Sequence, residues 1–170
     1  MLMSLRESTW RSQAKSRDDG LKQSLHLKVW PTDMDIFMHM TNTRYFDVMK
    51  IATNILLSRT GAIKALAKRG AKLTQIYSDL DVYSMLKLLQ GFVVESTIDG
   101  AEDGHLALSH TFTRGKKICA RGALLFAVQG GAAADHAISP SDYLSPEPSA
   151  LPETLKAWLT RERLNPPLSE

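Results

Sequence analysis

The chain has 170 residues, 44% of them hydrophobic and 23% charged, with a formal net charge of +3 and a single cysteine. That length predicts one domain, long enough to bury about two-thirds of its unfolded surface without staples. The slight charge, with no basic stripe carrying interleaved aromatics, excludes a nucleic-acid surface. One cysteine excludes an internal disulfide or a Cys-based zinc site.

Residues 1–20 carry Arg6, Arg11, Lys15 and Arg17 among serines. Glu7, Asp18 and Asp19 and the lack of an apolar core speak against a targeting peptide, so a mobile arm is expected. SLHLKVW (24–30) alternates Leu25, Leu27 and Val29 with polar neighbours, the period of a half-buried strand, and Pro31 ends it. From about Thr43 the period changes. Tyr45, Val48, Met49, Ala52, Ile55 and Leu56 form the stripe of a helix running to about Ser58, capped by Thr41 or Asn42 and stopped by Gly61. A short second helix is expected in AIKALAKRG (62–70).

Strand signals then follow one another. KLTQIYSDLDVYS (72–84) alternates in imperfect phase, which predicts a bulge or bend. GFVVESTIDG (91–100), GHLALSHTFTRG (104–115) and KKICARGALLFAVQGG (116–131) are joined by short turns, the pattern of consecutive antiparallel pairing. Cys119 sits in an apolar run and is expected to be buried; the lack of disulfides suits a reducing cytoplasm. His105 and His110 are expected to be structural. SPSDYLSPEPSALP reads as a linker, with a terminal helix over Glu153–Arg163. The expected division is an arm over 1–20, one domain over 21–131, and a linker with its helix over 132–170. The fold class is α+β, a long helix covered by a curved antiparallel sheet of about five strands. No stretch approaches eighteen consecutive apolar residues, so no membrane insertion is expected.

The candidate site is TDMDIFMHMTN (32–42). As a metal site it fails: a calcium loop started at Asp33 would need a glycine at Met38 and a glutamate at Arg44. Helix capping accounts for Thr41 and Asn42 but less well for Asp33 and Asp35, which lie upstream of the helix. The third reading is the centre of a reaction, which these residue types alone do not name.

Asp33-x-Asp35, then His39-Met40-x-Asn42, then Arg44 and Tyr45, between a first strand and a long helix, resembles the hotdog-fold acyl-CoA thioesterases, closest to the 4-hydroxybenzoyl-CoA thioesterase-like branch. The resemblance covers about residues 22–130. It implies a hotdog fold and hydrolysis of an acyl-CoA to free acid and CoA, with no cofactor. It places the catalytic carboxylate on Asp35, the oxyanion amide on Asn42 and a hydrogen-bonding role near the thioester on His39. Asp33, Thr41 and Tyr45 then support the loop. Two positions depart from the family pattern: Thr41 stands for an asparagine and Met38 for a frequent glycine. The basic turn Arg114–Gly115–Lys116–Lys117 is placed to meet CoA phosphates, against the plainer reading of a solvated hairpin. The resemblance also implies a homodimer or a tetramer of dimers. The alternative function is a non-catalytic hotdog domain that binds acyl-CoA or serves assembly; a dehydratase would need a different His-acid motif, which the chain lacks.

Overall fold

The computed structural model describes residues 20–130, 139–145 and 148–164, together with the backbone of 15–16; side chains are described up to 161. Most of the expected N-terminal arm and part of the expected linker lie outside these residues. The elements, in order, are β1 (Lys15–Ser16), β2 (Lys22–Lys28), a 3-10 turn (Pro31–Asp33), α1 (Asn42–Arg59), α2 (Ala62–Lys68), β3 (Lys72–Val82), β4 (Gly91–Glu102), β5 (His105–Arg114), β6 (Lys117–Gln129), a second 3-10 turn (Pro140–Asp142) and α3 (Glu153–Leu164). The strands form one antiparallel sheet in the order β1-β2-β4-β5-β6-β3. Five are substantial; β1 adds a two-residue ribbon at one edge.

Helix α1 forms because its apolar residues repeat on one face and its start is capped: the Arg44 N–H donates to Thr41 Oγ1 at 3.3 Å. Every member of the anticipated stripe is buried, from Tyr45 to Leu56. Burial of each such side chain contributes about 1.5–3 kcal/mol. The helix approaches the sheet closely at Gly122, where an added Cβ would overlap Met49 Sδ and stand 3.0 Å from the Asp79 carbonyl oxygen. Gly61, at φ 78, makes the turn into α2.

The imperfect phase of β3 is a bulge: Gln75 pairs with Phe126 and Tyr77 with Leu125, leaving Ile76 extra. The expected linker does not run free. Tyr143, Leu144 and Leu151 are buried, and the Ala101 N–H donates to the Ser149 carbonyl at 3.0 Å. Beyond it, α3 covers the sheet face opposite α1, packing Leu155, Trp158 and Leu159 against Ile76, Tyr77, Ala107 and Leu125.

Under α1 the sheet carries a polar row. Gln23 of β2, Ser96 of β4 and His110 of β5 occupy adjacent register positions, and all three are buried. Ser96 Oγ lies 2.9 Å from His110 Nδ1 and Thr53 Oγ1 of α1 lies 3.1 Å from His110 Nε2. Gln23 Nε2 donates to the Ala52 carbonyl. The row ties three strands to the helix without a charge, because burial lowers the His110 pKa from 6.5 to about 3. In the unfolded chain the same group protonates at its ordinary value, so between the two values the unfolded state binds more protons. The stabilising effect of a neutral His110 is complete above about pH 6.5 and is lost as pH falls toward 3. By about pH 4 this group alone should cost roughly 3 kcal/mol. Denaturant titrations across that range should show a steeper loss of stability in the wild type than in His110→Gln.

Candidate active site

The candidate site is a loop held at both ends. After β2, the Val29 N–H donates to the Gln90 carbonyl and the Leu89 N–H to the Val29 carbonyl, both at 3.0 Å. The chain then turns through Pro31–Asp33, closed by the Asp33 N–H on the Trp30 carbonyl at 2.9 Å. Asp33 is buried and engages both carboxylate oxygens: Oδ2 accepts the Trp30 N–H at 2.8 Å and Oδ1 meets Arg44 Nε at 2.8 Å. Its carbonyl accepts the Thr41 N–H at 3.1 Å. One residue thereby fixes the end of β2, the turn and the start of α1.

Asp35 stands apart from this bonding. It is exposed, and its Oδ1 accepts two backbone N–H groups, from Phe37 at 2.9 Å and His39 at 3.0 Å. The Asp35 N–H donates to the His39 carbonyl at 2.9 Å, and a Met34–Met40 bridge closes the base of this small loop. Two amides fix one oxygen, and among the described residues nothing bonds the other. A carboxylate held this way has a defined direction and a free lone pair, as a base or nucleophile needs.

At the far end Thr41 caps α1, and its carbonyl takes the N–H groups of Arg44 (3.0 Å) and Tyr45 (3.3 Å). The N–H groups of Asn42 and Thr43, the first two helical residues, have no acceptor among the described residues. Both residues are exposed, and their two donors lie at the positive end of an 18-residue helix.

The remaining expected residues divide. The backbone of His39 joins Asp35 on one side and bridges to Lys87 on the other; its ring has no hydrogen-bond partner among the described residues. Tyr45 is a core residue: its OH accepts the Leu86 N–H at 3.2 Å and its ring stands edge-on to Phe112 at 5.1 Å. Burial raises its pKa above 10.0, only partly opposed by that hydrogen bond, so the phenol supports the loop from below and stays protonated. Arg114, Lys116 and Lys117 are exposed at the turn between β5 and β6. The strand register sets this turn at the same end of the sheet as the loop, since Lys28 pairs with Gly91, Val93 with Thr113 and Arg114 with Lys117. No hydrogen bond or ion pair joins its side chains to the loop among the described residues. Cys119 is buried at a bulge in β6, and its carbonyl accepts the Tyr83 and Ser84 N–H groups.

Two features escaped the candidate residues chosen from sequence. Arg44 is the ion-pair partner of Asp33; its place in the motif was a signal, but its role depends on contact. The 83–90 segment supplies only backbone groups, such as the Leu86 carbonyl that accepts the Met40 N–H at 2.8 Å, and no residue type announces that. Among the described residues no three His, Cys, Asp or Glu side chains converge as a metal site would need. A cavity of about 320 Å³ between α1, α2, β3 and β6 is lined by Leu57, Leu66, Leu73 and Phe126, with Thr53 and Asn54 also in its wall. It lies about 17 Å along α1 from Asn42, away from the loop.

A family model described as the Thioesterase-like superfamily matches residues 29–159, and the chain belongs to that family. The fold is the hotdog fold seen in solved thioesterase structures. The probable thioesterase YbaW of Escherichia coli is similar with a TM-score of 0.61 at 14% identity, over 68% of this chain and 87% of that one. Slr0204, a 1,4-dihydroxy-2-naphthoyl-CoA thioesterase of Synechocystis, is similar with a TM-score of 0.57 at 12% identity, over 82% and 96%. A hypothetical thioesterase of Streptococcus pneumoniae TIGR4, solved with coenzyme A, is similar with a TM-score of 0.57 at 9% identity, over 69% and 85%.

The departure at Met38 has a measurable consequence. Met38 takes φ 62 at the loop's tip, a left-handed conformation that costs a side-chain-bearing residue about 1–2 kcal/mol. Glycine there removes that strain but adds unfolded-state entropy, worth about 0.4–1 kcal/mol. Met38→Gly should therefore be stabilising by roughly 0.5 kcal/mol, read as a higher denaturation midpoint.

Proposed function

We propose that the protein hydrolyses an acyl-CoA thioester to the free acid and CoA, with Asp35 as general base or nucleophile. The observation that carries this reading is the loop itself. It presents an exposed carboxylate with one oxygen fixed by two amides, and it runs into a helix start with two unbonded N–H groups. With Asp35 as base, water adds to the thioester carbon while its proton passes to the carboxylate. The carbonyl oxygen becomes an oxyanion facing the Asn42 and Thr43 amides, then the C–S bond breaks and the thiolate leaves to be protonated. With Asp35 as nucleophile, an acyl anhydride forms first and water opens it. The amides and the helix dipole stabilise the charge on oxygen in either course. His39 lies beside the carboxylate to hydrogen-bond the thioester region, and Arg114, Lys116 and Lys117 meet the CoA phosphates. Membership of a thioesterase-like family and a coenzyme A-bound neighbour support the substrate class.

The assembly we propose is a homodimer built on β3. Among the described residues this strand pairs with β6 on one side only, and its 11-residue outer edge is the one we assign to pairing with its copy.

Release of free thiol from short, medium, long and aromatic acyl-CoAs tests the reading. Turnover on at least one is expected. Asn42→Pro deletes one donor while sparing the helix, because proline suits the first helical position and Thr41 is already extended at ψ 150. Its kcat should fall about 100-fold or more with helix content unchanged. Undiminished kcat would remove Asn42 from the oxyanion site. Absence of thiol release from every substrate, with acyl-CoA still bound, would favour the non-catalytic binding domain.

A further inference from the structure

Strand β3 has a charge and packing pattern that fits a copy of itself. Its first residue is the exposed Lys72, and exposed Asp79 and Asp81 stand near its other end. Arg121 lies across from Asp81 on β6, yet neither Lys72 nor Asp81 makes an ion pair among the described residues. Leu73 and Leu80 pack on the α1 face, whereas Ile76 and Tyr77 pack on the α3 face. Two neighbours share that face because the bulge falls there. By alternation Lys72, Thr74, Asp79 and Asp81 stand on the α3 face with them, and Gln75 and Ser78 on the α1 face.

A two-fold axis that continues the sheet across this edge pairs β3 with its copy antiparallel, and directly opposite residues then share a face. With the axis between Ile76 and Tyr77, Lys72 meets the partner's Asp81 and Leu73 the partner's Leu80. Thr74 meets the partner's Asp79, and Gln75 the partner's Ser78. Every pair shares a face, apolar meets apolar and cation meets anion. A neighbouring centre sets at least one outward side chain opposite an inward one, because the two bulges no longer coincide. An axis through Leu80 faces Asp79 with the partner's Asp81, like against like.

This register decides what borders each Asp35 loop. Lys72 and Leu73 line the cavity of about 320 Å³. The partner's Leu80 and Asp81, set opposite them, lead into the segment whose Leu86 carbonyl holds the loop at Met40. The wall also selects a ligand. Leu57, Leu66, Leu73 and Phe126 are apolar, and the buried hydroxyl of Thr53 is engaged by His110 at 3.1 Å. Such a lining suits a saturated chain better than a hydroxylated ring, and the volume is at the small end for ligand pockets.

We propose that β3 pairs with its copy in this register and that the partner's cavity receives the hydrocarbon end of the acyl group. An aliphatic acyl-CoA of medium length is then the preferred substrate. The choice of ligand rests on the acyl-CoA reading above; the register does not.

Sedimentation of Lys72→Asp, Asp81→Lys and the double variant tests the register. Each single change sets like charges opposite at both ends of the seam and should raise the dimer Kd at least about tenfold, and the double variant should recover most of that loss. A double variant no tighter than the singles would overturn the register. Calorimetric titration with CoA, decanoyl-CoA and 4-hydroxybenzoyl-CoA reads the cavity without turnover. Decanoyl-CoA should bind at least about tenfold tighter than the other two, and Leu73→Phe should remove most of that gain. Ala67→Phe, at an exposed position in the same wall, should act alike if Leu73→Phe folds poorly. In mixed dimers of Asp35→Asn with Leu73→Phe, one site joins an intact carboxylate to an intact cavity across the interface, so decanoyl-CoA turnover should exceed that of either homodimer. No recovery on mixing would assign the cavity to its own protomer and overturn the proposal. Tight decanoyl-CoA binding without hydrolysis would sink the thioesterase reading and support this one. Hydrolysis with equal affinity for CoA and decanoyl-CoA would do the reverse.

Discussion

The pairing of Asp33 with Arg44 governs how the loop end of this molecule is arranged. A carboxylate this deeply buried is costly unless every lone pair finds a partner, and here the guanidinium of α1 and the Trp30 amide supply them. The contact spans the whole loop, joining the turn after β2 to the first turn of α1. Between those two fixed points, residues 34–40 close as a short bridge-flanked loop on which Asp35 is exposed. The two aspartates thus do opposite work two residues apart. One is spent on structure, and the other stays open to solvent.

The same economy appears beneath the helix. Gln23, Ser96 and His110 would be liabilities in an apolar core, but hydrogen bonds to α1 and across the strands satisfy the imidazole completely. They define one register for the helix over the sheet, as Gly122 does sterically by admitting Met49. Any sliding of α1 would move its N-terminal amides relative to Asp35, so the polar row contributes to site geometry from a distance.

Much of this was legible in the residues. The helical stripe from Tyr45 to Leu56 and the alternating strands have strong periods, and the motif with its resemblance located the loop. The first strand ran two residues earlier than its pattern, Lys22–Lys28, because Pro31 and the turn behind it draw Val29 and Trp30 out of the ladder. The expected linker was misleading in composition: among its prolines and serines, Tyr143, Leu144 and Leu151 find apolar surface on the folded sheet. Partnership was not legible. Nothing local says that Asp33 meets Arg44, that Tyr45 bonds Leu86, or that the 83–90 segment braces the loop, since each depends on chain distant in sequence.

The division of labour between the two aspartates is tested most directly by measuring stability and turnover together in Asp33→Asn and Asp35→Asn. Asparagine at 35 can still accept the Phe37 and His39 amides, so its stability should stay within about 0.5 kcal/mol of wild type while kcat falls at least about 100-fold. Asparagine at 33 breaks a buried ion pair and should cost roughly 2 kcal/mol of stability, with turnover reduced along with it. An Asp35→Asn protein that keeps full turnover on a hydrolysed acyl-CoA, or that loses turnover only as it loses stability, would contradict the account.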